Sequence, residues 1–227
     1  ESVFMLPVLY SFRRCPYAIR ARMTFCRAII TAELREVFLA DKPSAMLAYS
    51  SKATVPVLVL DNGVVLDESL EIMRWVLKQS DPHHWIRSDL EASTKALIEE
   101  NDGSFKVDLD HYKYWDRYPL KTQEDYRAAA EIFLCKLERR LEITEYLLAM
   151  QVTLADIAIF PFIRQFAFVD KIWFDQSPYP LLRLWLQRFL ETESFLQSMH
   201  KQSPWREGDK PTLFHGKPNG AAPDGGR

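Results

Sequence analysis

The chain of 227 residues is poor in glycine and cysteine and has no excess of either charge. Each shortage excludes something. Of seven glycines, four (Gly216, Gly220, Gly225 and Gly226) fall at the very end, leaving Gly63, Gly103 and Gly208 in the body. No G-x-G-x-x-G turn and no Walker loop can be drawn from those three, so the usual dinucleotide and triphosphate cradles are excluded. Three cysteines (Cys15, Cys26 and Cys135) form no C-x-x-C, and an odd number at wide spacing builds neither a disulfide scaffold nor a zinc knuckle. The five histidines make no H-x-x-x-H or H-E-x-x-H, and no metal site is expected. With 29 basic against 31 acidic residues, the net charge of −2 gives no electrostatic reason to expect nucleic acid or an anionic membrane as partner. The most apolar window, 152–169, is broken by Asp156, Pro161 and Arg164, too polar for a bilayer span. Glu1 to Leu6 lack the basic and apolar regions of a secretory signal. Free thiols and these absences together suggest a reducing, cytoplasmic setting.

What remains is 48% hydrophobic and 26% charged, ordinary for a globular chain, with length for two small domains. The two halves use different patterns. Pro7-Val8-Leu9-Tyr10-Ser11-Phe12 is a β-prone run. From Pro16 to Ile30, apolar Ile19, Met23, Cys26 and Ile30 recur at helical spacing, with Arg20, Arg22 and Arg27 placed off that face. Leu34 to Leu39 reads as a second strand. Val57 to Leu60 and Val64 to Leu66, joined by Asp61-Asn62-Gly63, read as a hairpin with an Asn-Gly turn. Leu70 to Leu77 returns to helical spacing. The order is βαβ, then ββα, over residues 6–79.

Strand signals vanish after the polar connection 80–87. Asp89 to Tyr114 and Glu124 to Leu148 are long amphipathic stretches, the second with a stripe of Ile132, Phe133, Leu137, Leu141 and Leu148. Thr153-Leu154-Ala155-Asp156 is a capping box opening the most apolar helix, and Pro180 to Met199 supplies one or two more. Residues 88–205 are therefore expected to form an all-helical domain, and residues 217–227 a mobile tail.

Chemistry points to one turn. Ser11-Phe12-Arg13-Arg14-Cys15-Pro16 joins the first strand to the first helix. Proline is favoured at the first helical position, where its missing N–H would be unpaired anyway, which puts Cys15 at the N-cap. Its sulfur then lies near unpaired N–H groups, the positive end of the helix dipole and two arginines, all favouring thiolate over thiol. A free thiol titrates near 8.5, and helix N-termini lower that, at ~1.4 kcal/mol per unit. Cys15 is the candidate nucleophile, while Cys26 and Cys135 read as packing residues inside apolar stripes.

Three later segments complement the turn. Pro56 directly before a strand exposes the backbone of Val55 as an edge for an extended peptide. Asp67-Glu68-Ser69 stands where a strand enters a helix, so Ser69 and the helix-start N–H groups suit a carboxylate and Glu68 an amine. Asp41-Lys42-Pro43 offers a cation for a second carboxylate.

At these residues the sequence resembles a cytosolic glutathione S-transferase. Leu9 to Ala18, with its C-P-Y-A, is similar to the cysteine-type classes, the omega class in particular. The 13-residue steps from Lys42 to Val55 and from Val55 to Glu68 match the omega-like pattern. The resemblance implies a thioredoxin-like α/β N-terminal domain with a mixed four-stranded sheet, followed by an all-α domain. It implies that Cys15 forms a mixed disulfide with the cosubstrate glutathione and that Tyr17 lines the site. Lys42 would meet the glycyl carboxylate, the Val55 backbone the cysteinyl part, and Glu68 and Ser69 the γ-glutamyl head; Pro56 would be a cis-proline. For a second-substrate pocket between domains the candidates are Tyr112, Tyr114, Trp115, Phe166 and Phe168, although each reads more readily as ordinary packing. Ala18 stands where dithiol relatives keep a second cysteine, so a monothiol mechanism is implied.

The implied activity is a thiol transferase or reductase acting on small disulfides, glutathionylated substrates or dehydroascorbate. Two alternatives stay open: conjugation of electrophiles with Ser11 or Tyr10 activating the glutathione thiol, and a non-catalytic binding protein of the same fold. Members of this superfamily are commonly homodimers, and some cysteine-type relatives are monomers.

Overall fold

The computed structural model describes residues 6–215, so the expected tail at 217–227 lies outside the described residues. Among the described residues, contacts divide the chain into two units, one of residues 6–83 with 193–215 and one of residues 84–192.

In the first unit, β1 (Val8–Ser11), α1 (Pro16–Ala28), β2 (Ala32–Glu36), α2 (Ser44–Tyr49), β3 (Val57–Val59), β4 (Val65–Leu66) and α3 (Ser69–Gln79) follow in order. The sheet order is β4-β3-β1-β2-β5, with β1 and β2 parallel and the other pairs antiparallel. This mixed sheet is the thioredoxin-like arrangement with a fifth strand, β5 (Leu213–Phe214), added antiparallel to β2. Four strands were expected. A two-residue strand far from its partner in sequence leaves no alternation to read.

The period of two along the strands sorts the core onto two faces. Leu9, Leu34 and Leu58 join Ala21, Phe25 and Cys26 of α1 and Ile72 and Val76 of α3. Tyr10, Val57 and Val59 point the other way, toward Val37 and Met46, with Trp205 packed against them. The helix α2 was not foreseen, being too short for a periodic pattern. The β3–β4 connection closes by a turn in which Gly63 N–H donates to the Leu60 carbonyl at 3.0 Å, with Gly63 at φ 81°. Glycine takes that left-handed conformation without steric cost.

The segment 193–215 departs from the expected boundary. It includes α10 (Glu193–Ser198), which packs on α1, Trp205, whose N–H donates to the Glu36 carbonyl at 2.8 Å, and β5. Residues 193–205, expected in the helical domain, thus fold with the first unit.

The second unit is helical: α4 (Glu91–Glu100), a π-helical stretch Asn101–Phe105, α5 (Lys106–Lys113), α6 (Gln123–Leu141), α7 (Leu154–Ala167), α8 (Lys171–Gln176) and α9 (Pro180–Leu190). The helix α6 stops at Leu141, short of the expected Leu148, and Ile132 is 72% exposed rather than part of the stripe. The box at Thr153 forms as expected: Thr153 N–H and Oγ1–H each donate to Asp156 at 2.9 Å. Asp156 also accepts from Leu147 N–H and Trp185 Nε1–H, both at 2.9 Å, and so ties α7 to α9 and to the loop before it. Glu138 of α6 accepts from the N–H groups of Leu181 and Leu182 at 3.0 and 2.7 Å, placing a carboxylate at the N-terminus of α9. No helix among the described residues is long and apolar enough to cross a membrane.

Candidate active site

Cys15 is the N-cap of α1, with φ −72° and ψ 123°, and Pro16 follows in the first helical turn. Its N–H donates to the Phe12 carbonyl at 3.1 Å, closing the turn after β1, and its carbonyl accepts from Ile19 N–H at 2.9 Å. An N-cap side chain with a strong acceptor would bond the helix-start N–H groups. The thiol does not; its sulfur lies 3.7 Å from the Val55 carbonyl oxygen and is half-buried. Sheet register explains that approach. Tyr10 faces Val57 across the antiparallel β1–β3 pair, so the two residues before β3 run alongside the turn after β1. The Val55–Pro56 peptide is cis.

Ser69 opens α3 and is buried, its Oγ accepting from Arg20 Nε at 3.0 Å. The Arg20 guanidinium lies 5.1 Å from the centre of the Tyr17 ring. Tyr17 and Arg20 stand three apart on α1 and share a face. The helix that starts at Cys15 thereby reaches across to the start of α3. Glu68, the exposed N-cap of α3, pairs with Lys52 at 2.5 Å. Lys52 also meets Asp67 at 3.0 Å, and Ser50 Oγ donates to Asp67 at 2.9 Å. Those bonds hold the Asp67 carboxyl below the usual carboxylate range, and the two acids raise the Lys52 ammonium. Lys42 is half-buried on the loop before α2.

The rival hydroxyls are placed differently. Ser11 is fully buried and accepts from Arg22. Tyr10 is also fully buried; its hydroxyl accepts from Arg35 Nη1 at 2.7 Å, and the Trp205 ring meets it edge-on at 6.1 Å. Burial pushes the Tyr10 phenol up, away from the ionised form. Neither presents a free hydroxyl to a ligand.

The other two cysteines part company. Cys26 is buried as expected, and loss of water pushes its thiol up to about 12. Cys135, expected to pack, is exposed, with its sulfur 3.6 Å from the Tyr179 hydroxyl. Among the aromatic candidates, Tyr112 and Phe166 are buried against each other in the helical unit at 5.0 Å, which is packing. Tyr114 is half-buried, and Trp115 and Phe168 are exposed. Among the described residues, no group of three metal-ligating side chains occurs.

Two residues at the site escaped the sequence reading. Arg20 and Arg22, taken as lying off the apolar face, are 1% and 2% exposed. They lie two apart on a helix, about 200° round its axis, so one solvent-facing stripe cannot hold both.

Comparison with known proteins agrees with this geometry. Residues 9–84 match the model of the glutathione S-transferase N-terminal domain, and residues 123–188 that of the C-terminal domain. A search of curated proteins returns no match. Among solved structures, a glutathione transferase family member from Pseudomonas fluorescens, with two glutathione bound, is 17% identical over 88% of this chain and 94% of its own, at a TM-score of 0.75. A possible glutathione S-transferase from Rhodopseudomonas palustris is 21% identical over 87% and 100%, at 0.73. The omega 3C transferase of Trametes versicolor is 19% identical over 87% and 90%, at 0.70. With both domain models matched in order along a chain of this fold, the protein belongs to the glutathione S-transferase superfamily.

Proposed function

We propose that the protein is a cysteine-type glutathione-dependent thiol transferase acting through Cys15. One observation carries the reading: the half-exposed Cys15 sulfur sits at the N-terminus of α1, 3.7 Å from the Val55 carbonyl oxygen, while Ser11 and Tyr10 are buried and occupied. The helix dipole and the neighbouring N–H groups favour its thiolate. In the first step the Cys15 thiolate attacks the glutathionyl sulfur of a mixed disulfide RSSG; the Cys15–glutathione bond forms and RS⁻ leaves. In the second, a glutathione thiolate attacks that bond and releases oxidised glutathione and the Cys15 thiolate. Two glutathione units and the substrate sulfur balance, with RSSG reduced and glutathione oxidised.

The γ-glutamyl head fits the start of α3, where Ser69 offers a buried hydroxyl and Glu68 an exposed carboxylate for the amine. Lys52 occupies Glu68 in the free protein, so the amine exchanges one cation for another. A peptide N–H of the cysteinyl part would compete with the Cys15 thiol for the Val55 carbonyl, and losing that acceptor removes a bond that favours the neutral thiol. Lys42 is assigned the glycyl carboxylate, Tyr17 the wall of the site and Pro56 the turn that presents Val55. A cytoplasmic setting and a homodimer accord with the superfamily.

The test is mass spectrometry after incubation with oxidised glutathione, together with turnover of hydroxyethyl disulfide and of 1-chloro-2,4-dinitrobenzene. The reading expects a single adduct on Cys15 and loss of disulfide turnover in Cys15→Ser with glutathione still bound. Full disulfide turnover in Cys15→Ser defeats it. Conjugation that survives Cys15→Ser and is lost in Ser11→Ala would install the conjugating mechanism instead. Failure of a glutathione column to retain the protein would leave a binding protein of the same fold.

A further inference from the structure

Arg22 is an arginine in the middle of a helix with almost no exposure, and the proposed chemistry gives it no task. Burying a guanidinium is costly unless its donors are all taken. Here they are. Nε donates to the Ser198 carbonyl at the end of α10, at 2.8 Å. Nη1 donates to Ser11 Oγ and to the Phe12 carbonyl, the latter at 3.2 Å, and Nη2 to the Arg13 carbonyl at 2.6 Å. Three consecutive residues of the turn that delivers Cys15 are therefore held by one rigid fork. The fork is anchored on its other side by a segment 176 residues away in sequence. The turn has a further hold: Arg13 N–H donates to Glu36 Oε1 at 2.8 Å.

The groups facing this guanidinium are Glu36 of β2, Cys15 and Cys26 at the two ends of α1, and Arg13 of the turn; His200 lines the same small crevice. Burial lowers Arg22 to about 10, with Glu36 and Cys15 opposing the fall, so it stays charged at neutral pH and its charge is felt at Cys15. Burial pushes the Glu36 carboxyl up, opposed by the Arg13 N–H that donates to it and by the Arg22 and Arg13 charges.

We propose that Arg22 is the positioning residue of this site, fixing the turn that carries Cys15 from inside the domain and supplying a buried positive charge that makes the Cys15 sulfur reactive. The inference deepens the Cys15 reading and rests on it for the reaction, but not for the reactivity of the sulfur. The fork and the charge separate by substitution. Arg22→Lys keeps the charge and loses the planar fork. Arg22→Met loses both at similar length.

The experiment is alkylation of Cys15 by iodoacetamide across pH 5 to 10, resolved by peptide mapping from Cys26 and Cys135, with hydroxyethyl disulfide turnover per folded molecule. Folding is followed by circular dichroism. In Arg22→Met the alkylation midpoint is expected to rise by about one pH unit, roughly tenfold less thiolate at neutral pH. In Arg22→Lys the midpoint stays within about 0.3 unit of wild type, set by the retained charge. Its turnover falls roughly tenfold, since displacement of a reacting group by ~1 Å costs up to about a hundredfold. A merely structural role would lower thermal stability in both and move neither readout in the folded fraction. A wild-type midpoint in folded Arg22→Met overturns the proposal. Wild-type turnover in Arg22→Lys overturns it too, and decides the matter alone if Arg22→Met does not fold. Failure of the thiol-transferase reading shows separately, as wild-type protein whose Cys15 alkylates readily and gains no glutathione.

Discussion

Replacing Asp156 is expected to destabilise the helical unit more than any surface change, and the structure lets the size be worked out. The carboxylate is wholly buried and accepts four hydrogen bonds at 2.9 Å: two from Thr153 and one each from Leu147 N–H and Trp185 Nε1–H. Burial pushes the carboxyl up and the four donors pull it down. In Asp156→Ala the Thr153 hydroxyl can turn elsewhere, but three N–H groups cannot. Each buried, unpaired donor costs ~1–3 kcal/mol. Removing a buried charge returns part of its desolvation cost, which leaves a net loss of about 4 kcal/mol. That is a large share of a domain stability of roughly 5–15 kcal/mol. Asp156→Asn keeps one acceptor oxygen for Leu147 and Trp185 and turns an NH2 toward the Thr153 N–H, so about 2 kcal/mol should be lost. Urea unfolding followed by tryptophan fluorescence measures both, and Trp185→Phe in the Asp156→Asn background should cost less than in wild type. If Asp156→Asn unfolds within about 0.5 kcal/mol of wild type, the carboxylate is not the hub that holds Leu147, Thr153 and Trp185.

Other outcomes follow from single positions. Ile29 ends α1 at φ 57° and is half-exposed, a left-handed conformation unfavourable for a β-branched residue, so Ile29→Gly should raise stability by ~1 kcal/mol in chemical denaturation. Cys26, with its thiol raised to about 12, should resist iodoacetamide at pH 8.5 in the native protein and react once urea unfolds it. The sign of the linkage follows: the folded thiol keeps its proton where the unfolded one has lost it. The stability Cys26 contributes is therefore complete below pH ~9 and lost between there and about 12, a slope that Cys26→Ala should remove. Glu138→Gln keeps one acceptor for the start of α9 but not the charge, and should cost ~1 kcal/mol by thermal unfolding; Glu138→Ala should cost about twice that.

How far the site was legible depended on whether a residue's task showed in local spacing. Strands β1 and β3 were readable as short β-prone runs, but such runs do not show which residues share a face; Leu9 and Leu58 on one side and Tyr10, Val57 and Val59 on the other are sorted only by the structure. The capping box at Thr153 and the proline after Cys15 are local signals and led directly to α7 and α1. The stripe on α6 was phased correctly through Phe133, Leu137 and Leu141, but wrongly took in Ile132 and left Cys135 as a packing residue. At 100° per residue, Tyr126, Ala130, Phe133, Leu134, Leu137 and Leu141 fall within an arc of about 100°, and Ile132 and Cys135 lie well outside it on the opposite side. Both are exposed for that reason. The helix α2, strand β5 and the return of residues 193–215 to the first unit left no local trace, since short elements and pairings between distant segments carry none.

The deeper failure of legibility lies in α1, and it is informative. Eleven of its thirteen residues are buried, two arginines among them. A helix enclosed on so many sides cannot show one apolar stripe, so its polar residues look solvated when they are not. Because a buried guanidinium is tolerated only where partners meet it, each such arginine marks a junction the fold has to make. Arg20 makes the one from α1 to Ser69 of α3, and Arg22 the one from α1 to the turn before Cys15 and to Ser198. Both junctions end beside the candidate nucleophile or the expected γ-glutamyl subsite. The apolar contacts of α1 decide that it packs on the sheet; its two buried charges decide where the sulfur at its N-terminus stands relative to Ser69.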